Sequence, residues 1–203
     1  MGIKNNIMNS KLIFPTDDKI DQTNYFIYHN AFNDEQLEWI NNLQKMHDFE
    51  VAATIGDSSE KNPIRKSSIK WLHHNDKNNW LYDYLSTFAL GANDVIWKFN
   101  LHSIIDSIQY TEYYEGGGHY DWHVDIGPYP INHRKISITI QLSDPSEYEG
   151  GDFEIWSGGK FKKMEKIKGC AILFPSFLMH RITPITKGIR KSLVLWVGGD
   201  TYK

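Results

Sequence analysis

The chain has 203 residues, the size of one domain or of one domain with small additions. Its formal net charge of −3 gives no reason to expect nucleic acid or another polyanion as a partner. The single cysteine, Cys170, excludes an internal disulfide framework, and no apolar run approaches the ~18 residues of a membrane span.

The N-terminal region carries no hydrophobic periodicity and is polar, without the apolar stretch of a signal peptide. We expect residues 1–24 to be a flexible leader and residues 25–203 to form one domain. A soluble, cytoplasmic protein without a membrane partner is the resulting expectation.

The front of this domain predicts two helices. Asn33 followed by Gln36 is the pattern of a capping box. Apolar residues then recur at helical spacing at Leu37, Ile40, Leu43 and Met46. A second helix is predicted over about 78–89, with Gly91 as its end. The polar segment 55–62 predicts a loop, and the region 55–68 is a candidate lid over a substrate.

The rest of the chain is typical of a β-protein, because short apolar segments alternate with Gly, Pro, Asn and Asp. Strands are predicted at 25–28, 67–72, 95–99, 105–114, 120–125, 135–142, 152–156, 169–174, 178–183 and 191–197. The fold class is therefore α+β, mainly β. We expect a double-stranded β-helix, or jelly roll, with its core over about 94–199 and the N-terminal helices packed on one sheet.

A His-x-Asp pair at His123 and Asp125 is the first candidate for chemistry. Residues two apart in a strand share a face, so both side chains can reach one metal ion. Such a pair is also common on solvated strands, but a second histidine follows at His180. Two imidazoles and one carboxylate leave three positions of a metal open, as in the non-haem Fe(II) oxygenases.

Arg190 is the second candidate. It precedes an apolar strand that predicts burial, and a buried arginine demands an anionic partner. Ser192 and Trp196 share its face by the period of two. This face is poor material for a core, but it suits a pocket for a small carboxylate-bearing ligand.

Taken together, these segments resemble the 2-oxoglutarate and Fe(II)-dependent dioxygenases, and among them the prolyl 4-hydroxylase-like group. The resemblance rests on four stretches: 65–72, 109–125, 134–153 and 169–199. The order His-x-Asp, distal His, then Arg about ten residues later is its most specific feature.

The resemblance implies roles for individual residues. His123, Asp125 and His180 match the iron ligands, and Arg190 matches the residue that pairs with the far carboxylate of 2-oxoglutarate. Tyr114 matches a tyrosine that binds the same carboxylate, with Tyr113 left open because turn lengths vary. The remaining pocket residues implied are Thr139, Gln141, Ser192 and Trp196. Substrate contacts are implied for Arg134, Tyr120 and Trp122, and Arg134 could equally be a solvated residue at a strand end.

The implied activity is hydroxylation of an unactivated C–H bond with Fe(II), 2-oxoglutarate, O2 and ascorbate as reductant. A prolyl residue in a peptide or protein is the expected substrate, with release of succinate and CO2. A free amino acid or other small molecule is the alternative substrate. A non-catalytic metal- or sugar-binding jelly roll is the alternative of another class, although it would not need a buried Arg190. Repair of alkylated nucleic acid is disfavoured, because Trp196 stands where that subgroup carries an additional arginine.

Overall fold

The computed structural model describes residues 24–46, 48–51, 63–157 and 159–202. The predicted leader, except for Asn24, and the predicted lid as far as residue 62 lie outside the described residues. Among the helices that are described, none is long and apolar enough to cross a membrane.

Two α-helices precede the β-rich part of the chain, α1 (Asp34–Leu43) and α2 (Asn79–Ala92). The predicted capping box begins α1: the Asn33 side chain accepts a hydrogen bond from the backbone N–H of Gln36 at 2.9 Å, and the Gln36 side chain accepts one from the N–H of Asn33 at 3.0 Å. These two bonds satisfy donors that would otherwise lack a partner at the helix start.

The predicted ends of both helices need correction. Leu37, Ile40 and Leu43 are buried as expected, but Met46 is 67% exposed, because a 3-10 turn closes α1 before the apolar spacing is complete. Gly91 does not end α2, which continues to Ala92. At Gly91 a β-carbon would lie 3.0 Å from the Tyr28 hydroxyl oxygen. The glycine therefore makes room for Tyr28 and does not end the helix.

The strands of the described chain form two antiparallel sheets. They are β1 (Phe26–Tyr28), β2 (Glu50–Val51), β3 (Arg65–Lys66), β4 (Ser68–Leu72), β5 (Leu101–Ile104), β6 (Ile108–Tyr114), β7 (His119–His123), β8 (Arg134–Gln141), β9 (Tyr148–Gly150), β10 (Phe153–Ser157), β11 (Lys160–Lys163), β12 (Ala171–Pro175), β13 (His180–Ile182) and β14 (Ile185–Gly199). The larger sheet has the order β1-β12-β8-β14-β6-β4-β2, with β5 and β9 also paired to β14. The smaller sheet has the order β11-β10-β13-β7-β3.

Strand alternation divides the interior into two regions. One set of apolar side chains on the large sheet packs against the helices, including Ile136, Ile138, Ile140, Leu193 and Leu195. A second cluster lies between the sheets, including Tyr113, Phe153, Ile155, Phe174 and Ile182. The predicted jelly roll with helices packed on one sheet is therefore confirmed. The space between the sheets is where polar side chains of the large sheet can meet those of the small sheet.

One predicted strand is wrong, and another begins later than predicted. Residues 95–99 do not form a strand, because a π turn at Asn93–Trp97 extends α2 and ends at Lys98 in the left-handed conformation (φ 55°). The predicted strand 105–114 begins only at Ile108, and the preceding strand β5 ends at Ile104. The apolar residues in these segments gave the strand signal without a strand being formed there.

Candidate active site

Three side chains with metal-binding atoms converge between the sheets. His123 is the last residue of β7, Asp125 follows two residues later, and His180 begins β13 directly opposite His123 in the register. One donor atom from each lies within 4.8 Å of the other two. Oδ1 of Asp125 lies 3.6 Å from Nε2 of His123, and Oδ2 of Asp125 lies 3.5 Å from Nε2 of His180.

Backbone carbonyls fix the orientation of both imidazoles. Nδ1 of His123 lies 2.7 Å from the carbonyl oxygen of Asp121, and Nδ1 of His180 lies 2.9 Å from that of Leu178. A carbonyl oxygen can only accept, so Nδ1 is the protonated nitrogen of each ring. The lone pair of each Nε2 is then free for a metal, which is the usual arrangement around histidine ligands.

The electrostatics of the site favour an ionised carboxylate at Asp125 and disfavour a second positive charge at His180. Burial, together with the neighbouring His123, lowers the pKa of His180 to about 4. Burial alone would raise the pKa of Asp125, but the adjacent His180 and His123 and the hydrogen bond from Ser137 outweigh it and hold that pKa below its usual range. Two imidazole nitrogens and one carboxylate are a ligand set for a divalent metal ion.

Asp125 is held from behind by the hydroxyl of Ser137 and the backbone carbonyl of Ser176, neither of which sequence reasoning identified. The Ser137 hydroxyl donates to Oδ2 of Asp125 at 2.6 Å and lies 3.0 Å from the hydroxyl of Ser176. The backbone N–H of Asp125 donates to the carbonyl of Ser176 at 2.9 Å. Ser137 alternates with the buried isoleucines of β8, so the sequence predicts that it lies on the opposite face of the strand. The sequence does not predict its partner.

A cavity of about 480 Å³ extends from these three residues along the inner face of the large sheet. Arg190 lies in its wall and is only 3% exposed. Its Nη1 is 3.3 Å from the Ser192 hydroxyl, and its guanidinium lies 5.6 Å from the ring centre of Tyr113. No carboxylate of the described residues forms an ion pair with Arg190. Its charge is therefore buried without an anion, which is costly unless a ligand supplies one.

Tyr113, rather than Tyr114, lines the cavity. Tyr113 lies opposite Arg190 in the β6–β14 register and is buried. Tyr114 points to the other face of β6, where it is 37% exposed and its hydroxyl donates to Glu112. The placement predicted for Tyr114 is wrong, because neighbouring residues of a strand face opposite sides.

The other predicted pocket residues are divided between the main cavity and a smaller space behind Arg190. Thr139, Ser192 and Trp196 line the main cavity. Gln141 lines only the smaller space, where its Nε2 donates to the hydroxyl of Tyr148 at 2.8 Å. The indole nitrogen of Trp196 is buried and has no hydrogen-bond partner within the described part of the chain.

The three predicted substrate contacts also separate. Tyr120 lines the cavity, and its ring stacks on His123 with 3.4 Å between ring centres. Trp122 does not line it; it packs against Trp156 on the outer face of the small sheet. Arg134 lines the cavity, but its guanidinium already contacts Asp106.

Arg65 and Gln109 form a polar part of the wall that the sequence analysis missed. Nη2 of Arg65 donates to Oε1 of Gln109 at 2.8 Å, and the guanidinium lies 4.6 Å from the ring centre of Tyr120. Arg65 lay within a stretch that carried the resemblance, yet its spacing alone gave no sign that it faces the cavity.

Comparison with known proteins agrees with this geometry. Residues 108–198 match the 2OG-Fe(II) oxygenase superfamily. A PKHD-type hydroxylase from Aliarcobacter butzleri is 31% identical over 170 residues, which cover 80% of this chain and 73% of that protein. The chain belongs to the 2OG-Fe(II) oxygenase superfamily. With several further PKHD-type hydroxylases, the match spans only about half of their length or less.

Solved structures show the same fold for this oxygenase. A prolyl hydroxylase from Trichoplax adhaerens, solved with a hypoxia inducible factor peptide fragment, has a TM-score of 0.71 at 18% identity, covering 87% of this chain and 84% of that one. A prolyl-4-hydroxylase from Pseudomonas putida has a TM-score of 0.68 at 16% identity, covering 87% and 93%. The prediction of a prolyl 4-hydroxylase-like oxygenase is therefore confirmed at the level of family and fold.

The residues of this oxygenase fit the groups that its family implies, Fe(II) and 2-oxoglutarate. The donor set of two imidazole nitrogens and one carboxylate suits Fe(II) and leaves positions for other ligands. Arg190 lacks an anionic partner among the described side chains, and the planar fork of a guanidinium suits a carboxylate. Metal and co-substrate groups would thus share one cavity.

Proposed function

We propose that this oxygenase hydroxylates an unactivated C–H bond of a prolyl residue in a peptide or protein, with release of succinate and CO2. The observation that carries the proposal is the shared cavity. The three metal-binding residues lie in its wall, and so does a buried arginine that has no carboxylate partner among the described side chains.

Each residue has a definite task in this proposal. His123, Asp125 and His180 would hold Fe(II), which, once bound, couples the oxidation of 2-oxoglutarate by O2 to attack on a C–H bond. Arg190 would bind the far carboxylate of 2-oxoglutarate, and the hydroxyls of Tyr113 and Ser192 lie in the same part of the wall. Ascorbate would serve as the reductant that restores oxidised iron.

Aromatic side chains would keep water from the reacting C–H bond. Tyr120, Trp71 and Trp196 line the cavity, and most of its exposed lining is apolar. An environment of this kind excludes water and limits side reactions of a strong oxidant.

An extended peptide is the favoured substrate because the segment 124–131 lines the cavity with apolar side chains, those of Val124, Ile126, Pro128 and Ile131. Proline fits such a site since its backbone is already restricted, which lowers the entropy lost on binding. The fold neighbours named prolyl hydroxylases support the same choice.

The test is a screen of proline-containing peptides and free amino acids with Fe(II), 2-oxoglutarate and ascorbate. Succinate release and a mass gain of one oxygen atom on proline are expected for the wild type and are expected to be absent for Asp125→Ala. The exposed variant Glu149→Gln is the matched control and should behave as the wild type. Oxidation of free amino acids alone, with no peptide oxidised, would overturn the choice of substrate but not the oxygenase reaction.

A further inference from the structure

Asp106 forms an ion pair with Arg134 beside the cavity. Asp106 lies in the turn between β5 and β6, and Arg134 is the first residue of β8. Oδ2 of Asp106 accepts from Nε of Arg134 at 2.9 Å and lies 2.8 Å from its Nη2. The Arg134 side chain is 11% exposed and that of Asp106 is 31% exposed, so the arginine end of the pair is shielded from the solvent that weakens surface ion pairs.

The same guanidinium contacts the metal-binding region through two other groups. Its Nη1 donates to the backbone carbonyl of Asp125 at 3.2 Å, and its central carbon lies 3.9 Å from the ring centre of Trp196. Arg134 therefore joins the backbone of one metal-binding residue to an indole in the cavity wall. Both contacts depend on the orientation of one planar group.

We propose that Asp106 is a positioning residue of the active site. It holds the guanidinium of Arg134 in the one orientation that supports the Asp125 backbone and covers the Trp196 ring. This inference rests on the proposed metal site at His123, Asp125 and His180. It assigns to Arg134 a structural task in place of the predicted contact with substrate.

The physical reason is that an arginine side chain loses considerable rotamer entropy when it is fixed. Three contacts offset that loss of entropy: the hydrogen bond to the Asp125 carbonyl, the stacking on Trp196 and the ion pair with Asp106. Without Asp106 the guanidinium can turn towards the solvent, and the backbone carbonyl of Asp125 then loses its charged hydrogen-bond donor. The carboxylate would then be presented to the metal less reproducibly.

A second trio in the same protein provides a matched control. Glu154 accepts from Nε of Arg181 at 2.7 Å, and Arg181 lies 4.6 Å from the ring centre of Trp122. The chemistry is therefore the same: a carboxylate orients an arginine that covers a tryptophan. The Trp122 ring, however, packs with Trp156 on the outer face of the small sheet, away from the cavity.

The experiment measures Mn²⁺ binding to the metal-free protein, with free Mn²⁺ followed by electron paramagnetic resonance. Asp106→Ala should raise the Mn²⁺ dissociation constant by about tenfold, the lower end of the effect usual for residues that support metal ligands. Arg134→Gln should raise it similarly, and the double variant should be no worse than either single one, since both changes remove one unit. Asp106→Glu, which keeps the charge, should recover part of the affinity.

Glu154→Ala should leave the Mn²⁺ dissociation constant unchanged. An unchanged affinity in folded Asp106→Ala, or an equal loss in Glu154→Ala, would overturn the proposal. If Asp106→Ala does not fold, Asp106→Asn carries the same test with the same two outcomes. Because the readout is binding of Mn²⁺ alone, it stands even if no peptide is hydroxylated, so failure of the proposed substrate is distinguishable from failure of this inference.

Discussion

Replacing Arg190 by methionine separates the role of a ligand-binding charge from that of a structural residue. Arg190 is 3% exposed, and its guanidinium lies 3.3 Å from the neutral hydroxyl of Ser192. A buried charge without an anion carries an effective penalty of several kcal/mol. Arg190→Met removes that penalty while keeping an apolar chain of similar length. We therefore expect the ligand-free variant to melt at the wild-type temperature or above it.

The rise in melting temperature that 2-oxoglutarate causes should, in contrast, become smaller in Arg190→Met. At a concentration ~100 times the dissociation constant, a ligand stabilises the folded state by about 2.7 kcal/mol. For a domain of this size that corresponds to a rise in melting temperature of roughly 5–11 °C. Loss of the partner of a buried carboxylate costs about 3–5 kcal/mol, which weakens binding by roughly 100-fold or more. At the same 2-oxoglutarate concentration the remaining stabilisation is about 0.4 kcal/mol or less, a shift of at most roughly 2 °C.

The assay is thermal unfolding with Mn²⁺ in place of Fe(II), with and without 2-oxoglutarate. Arg181→Met, which removes an arginine from the outer face of the small sheet, is the control and should keep the full response. If Arg190→Met shows the same rise in melting temperature as the wild type, then binding of 2-oxoglutarate does not depend on this charge and Arg190 is not its partner.

Three further predictions concern the metal, the tyrosine pair and the core. Asp125→Ala should abolish Mn²⁺ binding and turnover together, as measured by Mn²⁺ titration and succinate release; retained turnover would remove Asp125 from the ligand set. Tyr113→Phe should raise the 2-oxoglutarate concentration needed for half-maximal succinate release, whereas Tyr114→Phe should not; the reverse order would restore Tyr114 to the site. Leu85→Ala, at a side chain with 0% exposure, should cost about 2–5 kcal/mol of unfolding free energy in urea, whereas Leu90→Ala on the same helix, 58% exposed, should change it by less than about 0.5 kcal/mol; equal losses would contradict the packing of α2 on the large sheet.

The sequence predicted that His123, Asp125 and His180 lie together, but only the placement of His123 beside Asp125 follows from a local rule. His123 and Asp125 are two residues apart, and an extended backbone puts such side chains on one side. Arg190 could be identified because the apolar residues after it predicted a buried strand. The capping box at Asn33 is equally local, and the structure contains it as predicted.

The errors arise where register or distant contacts decide. Pairing of His123 with His180 and of Tyr120 with Ile182 leaves two residues of β7 opposite one residue of β13, which is a β-bulge. The bulge brings Tyr120 and His123, three residues apart, to one face and leaves Trp122 on the other. No pattern in the sequence indicates where such an extra residue falls.

Contacts between residues far apart in the chain could not be predicted either, because no sequence pattern indicates them. Ser137 is 12 residues from Asp125, and Arg134 is 28 residues from Asp106. Each side chain is an ordinary polar residue of a strand or turn when read alone. Only the arrangement of the two sheets shows that both support the Asp125 carboxylate or its backbone.

We expect one cavity to hold a metal at His123, Asp125 and His180 and a carboxylate at Arg190. A crystal structure with Mn²⁺ and 2-oxoglutarate, measured with anomalous diffraction, tests it most directly. One anomalous peak should lie between the two Nε2 atoms and the Asp125 carboxylate, and the ligand density should end in a carboxylate on the guanidinium of Arg190. A metal peak elsewhere, or a 2-oxoglutarate molecule that does not contact Arg190, would contradict it.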